Sequence, residues 1–353
     1  MNGLPEELAG LRSAYRAPAD FDAFWRGTLE AAVQSRDPEF TEARTALTGA
    51  TVYDVSFAGS RGHRIAAWLI VPRSTGREQR TGRAATSCVV QFLGYGEGRG
   101  APLDWLLWPA VGRATLVVDT RGQGGAGLHP GDTPDPVGPT HPQVPGFVTR
   151  GLLNPAEYYY RDAYVDALRA VDAAQAHPAV DPDRIAVSGC SQGGLLALAA
   201  AALHGKVAAA LIESPFLCDV ADQTRFPDRQ PYRELLRFCQ FHPQHAERVL
   251  ETLAYFDGVA LAERASCPAL FSLALRDQVC SPASVAAAYH RYAGPKRIGV
   301  WPFAGHADPN PYQRQAEVGF LAEVLDAGVT GDRPVEHGTT ALKRRKNTCS
   351  PTR

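Results

Sequence analysis

The feature that most constrains the fold is an alternation of short apolar runs with longer amphipathic stretches from residue 88 onward. Apolar runs of this length are typical of buried strands, and the stretches between them have helical periodicity. Parallel strands joined by crossover helices produce this rhythm, because helices then cover both faces of the sheet. The pattern predicts a doubly wound α/β fold with a mostly parallel sheet, whose strands are CVVQFLG, ATLVVDT, RIAVSG, VAAALIES, PALFSLAL and RIGVWPF.

The segment before these strands has a different character. Residues 17–32 carry apolar side chains at helical spacing after a Pro-Ala-Asp start, which predicts an amphipathic helix. Residues 52–58 and 65–71 are two apolar runs separated by a short glycine-containing segment, which is typical of a β-hairpin. We therefore expect an N-terminal helix and hairpin extension attached to the main sheet.

Three further segments depart from the alternating pattern. Residues 132–151 are rich in proline and predict a long loop, and residues 215–262 are helical without a strand. The second segment predicts a small helical insertion that forms either a cap or an oligomer surface. From residue 331 the chain is polar and basic without periodicity, so we expect one domain over residues 1–330 and a disordered tail over 331–353.

Composition limits the classes of partner. The chain is 45% hydrophobic with a formal net charge of -1, so it has no field that would attract nucleic acid or anionic membranes. It lacks both an apolar run of about 18 residues that could span a membrane and the pattern of a secretory signal. We expect a cytoplasmic protein with a small-molecule substrate.

The cysteines form no CxxC pair and predict reduced, buried thiols: Cys88, Cys190, Cys218, Cys239, Cys267, Cys280 and Cys349.

Ser191 is the candidate nucleophile. It lies at the centre of Gly-Cys-Ser-Gln-Gly, which fits the G-x-S-x-G elbow in which small residues permit a sharp turn that projects the serine above the sheet. The pattern alone is weak, but a predicted strand precedes it and an apolar helical run follows it. Because strand, elbow and helix are the setting that this motif requires, the sequence predicts an α/β-hydrolase fold.

An unassisted serine hydroxyl needs a histidine base, and in these hydrolases the base follows the serine along the chain. His306 comes directly after the strand RIGVWPF, in a short turn before the last predicted helix. A loop at the carboxyl end of a strand can aim its side chain at the catalytic crevice. We therefore favour His306 over the histidines in helical or surface segments, which are His204, His242, His245 and His290.

The base in turn needs an acid to orient it. Asp277 follows the strand PALFSLAL at its carboxyl end and is the favoured candidate. Glu213 and Asp219 flank the end of an earlier strand and are the alternatives, whereas Asp308 is too near His306 in sequence to reach the far nitrogen of the imidazole.

Acyl transfer also requires N–H donors for the developing oxyanion. The residue after the nucleophile, Gln192, supplies the first backbone N–H. The glycine-rich turn after CVVQFL supplies the second, which we assign to Tyr95. A phosphate-binding loop is disfavoured, because GYGEGRG lacks the lysine and hydroxyl residue of a P-loop.

Arg121, Gly122 and Gln123 follow the strand ATLVVD at the same edge of the predicted sheet. An arginine here could bind substrate, but a guanidinium more often holds neighbouring loops together through fork-shaped hydrogen bonds. We favour structural support of the site and leave substrate binding open.

Three motifs together resemble those of carbohydrate esterase family seven, the group of acetyl xylan esterases and cephalosporin C deacetylases. Arg121-Gly122-Gln123 is similar to the RGQ motif of that family, the elbow around Ser191 to its GxSQG motif, and His306 to the histidine of its HE motif. The similarity extends over roughly residues 5–327.

The resemblance implies deacetylation of small acetylated sugars, such as xylo-oligosaccharides, and of related acetyl esters such as cephalosporin C. It implies no metal and no cofactor, and a homo-oligomer, commonly a hexamer. It also implies the same site residues as the motifs do: Ser191, His306 and Asp277, with Tyr95 and Gln192 as oxyanion donors.

One departure from the family pattern concerns the residue after the histidine, where Ala307 replaces the family's glutamate and Asp308 is the candidate substitute. The alternatives to an acetyl esterase are another α/β-hydrolase, such as a peptidase or a longer-chain carboxylesterase, and a hydrolase-like binding protein without activity, because fold alone does not determine function.

Overall fold

A single sheet organises the molecule, as seen in a computed structural model that describes residues 3–32, 37–73, 85–125, 127–136, 146–220, 227–308 and 310–326. Nine strands are found in this part of the chain. In chain order they are β1 (Glu39–Ala43), β2 (Ala50–Ala58), β3 (Arg64–Pro72), β4 (Thr86–Phe92), β5 (Ala114–Val118), β6 (Val180–Cys190), β7 (Ala209–Glu213), β8 (Ala269–Ala274) and β9 (Lys296–Trp301).

The strand order is β1-β2-β3-β5-β4-β6-β7-β8-β9. The six strands β5-β4-β6-β7-β8-β9 pair in parallel. Strands β1, β2 and β3 pair antiparallel with one another in that order, and β3 also pairs antiparallel with β5. The predictions of a mostly parallel sheet and of an N-terminal hairpin are therefore confirmed. Strand β1 was not predicted, because its sequence EFTEA is largely exposed and carries no apolar run.

The helices lie between these strands and beyond their ends. They are α1 (Glu6–Ala9), α2 (Phe21–Ala31), α3 (Leu107–Ala110), α4 (Tyr159–Ala176), α5 (Gln192–Leu203), α6 (Tyr232–Phe241), α7 (Ala246–Ala254), α8 (Gly258–Ala262), α9 (Pro282–Arg291) and α10 (Pro311–Asp326). Short 3-10 turns occur at Ser60–Gly62, Pro102–Trp105, Phe147–Thr149 and Pro243–His245.

Both faces of the sheet are covered, as its continuous apolar strands require. On one face Val90, Val187 and Phe271 pack in the large core with helices α4, α5 and α9. On the other face their strand neighbours Val89 and Ala186 pack with α10 in a smaller cluster. Because successive side chains of a strand point to opposite faces, each central strand contributes to both cores.

The predicted N-terminal helix and helical insertion are both present, with adjusted bounds. Helix α2 begins at Phe21 and not at residue 17, and it is preceded by a turn in which the carbonyl of Pro18 accepts the N–H of Phe21 at 3.0 Å. The described residues between 215 and 262 contain α6, α7 and α8 and no strand. The predicted tail at 331–353 lies outside the described residues, and the domain boundary at 330 stays a prediction.

The cysteine prediction was partly wrong. All six cysteines in the described part of the chain are unpaired. Three of them are buried as expected, Cys88, Cys218 and Cys280, whereas Cys190, Cys239 and Cys267 are partly exposed. No helix among the described residues has the length and apolar character that crossing a bilayer would take.

Candidate active site

Ser191 lies in the sharp turn between β6 and α5. Its backbone has φ 58° and ψ -119°, a conformation that non-glycine residues rarely adopt. The turn is possible because Gly189 and Gly193 have no side chains: a Cβ on Gly189 would lie 2.3 Å from the backbone of Gly193, and one on Gly193 would lie 2.4 Å from the carbonyl oxygen of Phe92. The strain is stored at the residue whose hydroxyl is presented to the crevice.

The imidazole of His306 lies between Ser191 and Asp277. Its Nε2 is 3.0 Å from Ser191 Oγ, and its Nδ1 is 2.8 Å from Asp277 Oδ2. Asp277 follows β8 and His306 follows β9, so two neighbouring parallel strands place the candidate acid and the candidate base at one edge of the sheet. Their loops are joined by the hydrogen bond from Arg276 N to Ala304 O.

Asp277 is held rigidly and kept from solvent. It is 6% exposed, and its Oδ1 accepts the backbone N–H groups of Val279 and Cys280, each at 2.8 Å. The remaining oxygen therefore faces His306. A carboxylate in this position fixes the tautomer that carries its proton on Nδ1 and leaves Nε2 free to accept the serine proton.

The loop of His306 is stabilised by its own residues. Asp308 Oδ2 accepts the N–H of Gly305 at 2.6 Å. Ala307, which stands where the family has glutamate, adopts a left-handed conformation with φ 55°. Asp308 thus makes a contact within the loop that Ala307 could not make.

The alternative residues lie in other surroundings. Glu213 pairs with Arg314 at 2.7 Å, and Asp219 accepts the hydroxyl of Ser13 at 2.6 Å. Among the histidines, His204 contacts Asp172 and His290 contacts the carbonyl of Leu8. His242 and His245 belong to the helical insertion, at the end of α6 and in the turn that follows it.

The two proposed oxyanion donors lie on segments that are bonded to each other. Gln123 and Gln192 form a reciprocal amide pair at 2.9 and 3.1 Å, and Gln123 Oε1 also accepts the N–H of Gly96 at 2.6 Å. The side chain of Gln192 donates to the carbonyl of Gly94. The loop that carries Tyr95 is therefore fixed against the elbow. Neither backbone N–H, of Tyr95 or of Gln192, has an acceptor among the described residues.

Arg121 is 1% exposed, so its guanidinium faces the protein interior and not the crevice. It contacts both carboxylate oxygens of Asp166, and Asp135 and Asp162 each lie at 3.9 Å. Burial raises the pKa of Asp166, whereas the ion pair with Arg121 opposes that shift. Gly122 has φ 68°, and a Cβ there would lie 2.9 Å from Asp135. This geometry is that of a brace between loops.

Several residues of this support were not found from the sequence. The hydroxyl of Tyr160 donates to Gln192 Oε1 at 2.8 Å, and the hydroxyl of Tyr159 donates to the carbonyl of Arg121 at 2.7 Å. Asp166, the partner of Arg121, lies on the same helix, α4. The run Tyr158-Tyr159-Tyr160 at the start of this helix was the available signal, because consecutive buried hydroxyls each need a partner.

The parallel sheet, the strained elbow and the histidine and acid after later strands define an α/β-hydrolase. Comparison with known proteins identifies the family. Residues 3–324 match the protein family described as acetyl xylan esterase (AXE1). The chain belongs to the acetyl xylan esterase family, in agreement with the resemblance of its motifs, and is a carboxylic ester hydrolase that acts on acetyl esters.

Similar proteins include two solved structures. The acetyl xylan esterase from Paenibacillus sp. R4 is 33% identical with a TM-score of 0.82, and the alignment covers 91% of this chain and 100% of that one. Acetyl xylan esterase 1 from Thermoanaerobacterium sp. JW/SL YS485 is 31% identical with a TM-score of 0.79, covering 92% and 99%. Acetyl esterase Axe7A from Xylanibacter ruminicola is 26% identical over 86% of this chain, which spans 66% of that relative's length.

Proposed function

We propose that this chain is a serine esterase that removes acetyl groups from small acetylated sugars, with Ser191, His306 and Asp277 as its catalytic triad. The observation that carries the proposal is the continuous contact from Ser191 Oγ through the imidazole of His306 to Asp277 Oδ2, with distances of 3.0 and 2.8 Å. Family membership supports acetyl esters as the substrate class. Xylo-oligosaccharides and cephalosporin C are the proposed examples.

The first half of the reaction forms an acetyl-enzyme. His306 Nε2 takes the hydroxyl proton as Ser191 Oγ attacks the acetyl carbonyl carbon, and Asp277 stabilises the resulting imidazolium. The N–H groups of Tyr95 and Gln192 donate to the oxyanion of the tetrahedral intermediate. Collapse of the intermediate expels the sugar oxygen, which receives the proton from His306.

The second half repeats these steps with water. His306 accepts a proton from a water molecule as the water oxygen attacks the acetyl carbonyl carbon. The N–H groups of Tyr95 and Gln192 stabilise the second oxyanion. Ser191 leaves with the proton returned by His306, and acetate is released. Water is the nucleophile of this second half, whereas Ser191 is the nucleophile of the first half and His306 is the base and acid of both.

The test of the proposal is hydrolysis of p-nitrophenyl acetate by Ser191→Ala. We expect loss of turnover, since the nucleophile is absent, together with loss of labelling by a fluorophosphonate probe that modifies the wild-type enzyme. Near-normal hydrolysis by the purified variant would exclude Ser191 as the nucleophile. Absence of labelling and turnover in the wild type would favour a hydrolase-like binding protein.

The substrate is tested by acetate release from a panel of acetylated xylo-oligosaccharides and from cephalosporin C, beside acetyl and hexanoyl p-nitrophenyl esters. We expect the acetyl esters to have the higher kcat/KM. A preference for the hexanoyl ester would identify a longer-chain carboxylesterase, and hydrolysis of peptide substrates alone would identify a peptidase.

A cytoplasmic location and a homohexameric assembly belong to the same proposal. The unpaired state of the six described cysteines supports a reducing compartment. Exposed apolar side chains at Leu103, Leu107 and Val111 support association with further copies of the chain. Cell fractionation and light scattering of the purified protein test the two statements separately.

A further inference from the structure

The hydroxyl of Tyr95 makes an unusual set of contacts for a residue whose proposed role belongs to its backbone. The phenol oxygen accepts the N–H groups of Gly146, Phe147 and Val148 at 3.1, 2.8 and 3.3 Å. The hydroxyl donates to Glu234 Oε2 at 2.8 Å. The side chain therefore joins the oxyanion loop to the 3-10 turn at Phe147–Thr149 and to helix α6 of the insertion.

The direction of the hydroxyl proton is fixed by this arrangement. A phenol has one O–H to donate, and the three backbone N–H groups occupy its acceptor side. The proton must therefore point to Glu234. Burial and the neighbouring Glu234 carboxylate raise the pKa of Tyr95, so the phenol keeps its proton at neutral pH.

The position of the ring is also restricted. The ring of Tyr95 packs edge-on against Phe147, with ring centroids 5.7 Å apart. With the ring held by Phe147 and the hydroxyl held by Glu234, the side chain has contacts at both ends. A backbone N–H attached to a side chain held in this way has little freedom to leave its orientation.

The first turn of α6 also reaches the other side of the site. The hydroxyl of Tyr232 accepts the N–H of Leu217 at 3.0 Å, and its ring packs against Phe216 at 4.6 Å. The N–H of Phe216 in turn donates to the carbonyl oxygen of Ser191 at 3.0 Å. One helical turn of the insertion is thus connected both to the segment of the nucleophile and to the loop of Tyr95.

We propose that Glu234 is a positioning residue that acts through the hydroxyl of Tyr95 to hold the Tyr95 N–H at the oxyanion site. Glu234 touches neither the serine nor the histidine, and a negative charge near a developing oxyanion would by itself oppose catalysis. Its value to the reaction lies in the orientation of a donor. The inference rests on the proposed function, because it assumes the oxyanion role of Tyr95.

The test compares Glu234→Ala with Glu234→Gln, whose amide oxygen still accepts the Tyr95 hydroxyl. Removal of a whole oxyanion donor lowers kcat by about 10²–10³-fold. A donor that is only loosened retains part of its effect, so we expect Glu234→Ala to lower kcat by roughly tenfold or more with KM within about twofold. Glu234→Gln should recover most of the lost kcat. The assay is steady-state hydrolysis of p-nitrophenyl acetate.

The matched control is Glu247→Ala, which removes an exposed glutamate from the first turn of α7 in the same insertion. We expect wild-type kcat and KM. A double-mutant cycle with Tyr95→Phe provides the second readout: if Glu234 acts only through the Tyr95 hydroxyl, the double variant loses no more kcat than Tyr95→Phe alone. If Glu234→Ala does not fold, Glu234→Asp carries the test, since it keeps the charge but withdraws the oxygen.

Equal kcat in Glu234→Ala and Glu247→Ala would overturn the inference, and so would a Glu234→Ala variant in which only KM rises. Additive losses of kcat in the double-mutant cycle, or a Glu234→Gln variant that does not recover activity, would overturn it as well. Ser191→Ala is assayed in parallel. An active Ser191→Ala would refute the proposed function itself, whereas an inactive Ser191→Ala with an unaffected Glu234→Ala would refute only the role of Glu234.

Discussion

Asp277 divides its two carboxylate oxygens between His306 and the backbone. Oδ2 lies 2.8 Å from His306 Nδ1, whereas Oδ1 accepts two N–H groups from the loop that follows. The two oxygens are not interchangeable, because one faces a donor on the catalytic side and the other faces only backbone donors. An amide in place of the carboxylate therefore fits these donors in one orientation only.

The single favourable orientation of an amide predicts the effect of Asp277→Asn. The amide oxygen will face the N–H groups of Val279 and Cys280, so its NH2 group will face His306 and force the tautomer that carries its proton on Nε2. That tautomer cannot accept the proton of Ser191. We expect kcat for p-nitrophenyl acetate to fall by about 10⁴-fold with a small change in Tm. A loss of less than tenfold would contradict the assigned acid.

That Ser191, Asp277 and His306 lie together could be predicted from the sequence, because the position of each depends on local signals. The strands before Ser191, Asp277 and His306 are short apolar runs, and parallel strands present the loops at their carboxyl ends together. The contacts that hold the site have no such signal. Tyr95 and Glu234 are 139 residues apart in sequence, and Gln123 and Gln192 are 69 apart. Polar pairing across such distances is decided by tertiary packing.

Arg121→Lys is expected to lower the free energy of unfolding and to leave substrate affinity unchanged. A lysine cannot reproduce the two-pronged contact with Asp166, and it leaves a buried carboxylate poorly paired. Breaking a buried pair costs about 3–5 kcal/mol, so we expect a loss approaching this range in urea unfolding. The control is Arg297→Lys, since Arg297 contacts both oxygens of Glu323 at an exposed site where the expected loss is below about 1 kcal/mol. A raised KM with unchanged stability would instead indicate substrate binding by Arg121.

Glu213 predicts a pH dependence of stability. Burial and the neighbouring carboxylate of Glu317 raise the pKa of Glu213 to about 8, although Arg314 opposes the shift. The folded protein therefore binds a proton that the unfolded chain releases at the ordinary carboxyl pKa of about 4.3. The stabilisation is complete below that lower value and is lost as pH rises toward about 8.

Glu213→Gln should remove this component, because the amide is neutral at every pH and its oxygen can still accept from Arg314. We expect the free energy of unfolding of the wild type to fall more steeply than that of the variant between pH 5, which is well below the pKa of about 8, and pH 8.5, which is above it. Urea titrations at the two pH values measure the difference. Parallel slopes in the two proteins would show that Glu213 is ionised in the folded state.

Ala307→Gly is expected to stabilise the loop of His306. Ala307 is exposed and has φ 55°, so its methyl group gives little packing and makes the left-handed conformation costly. That cost is about 1–2 kcal/mol for a residue with a Cβ, and the greater freedom of glycine in the unfolded chain offsets about 0.4–1 kcal/mol of the gain. We expect a net gain of about 0.5–1 kcal/mol, measured by urea unfolding, with kcat unchanged because Asp308 still bonds to Gly305. Ala304→Gly in the same loop is the control. Ala304 is not in a left-handed conformation, so a glycine there should lower the stability of the protein. A loss of stability in both variants would contradict the strain at Ala307.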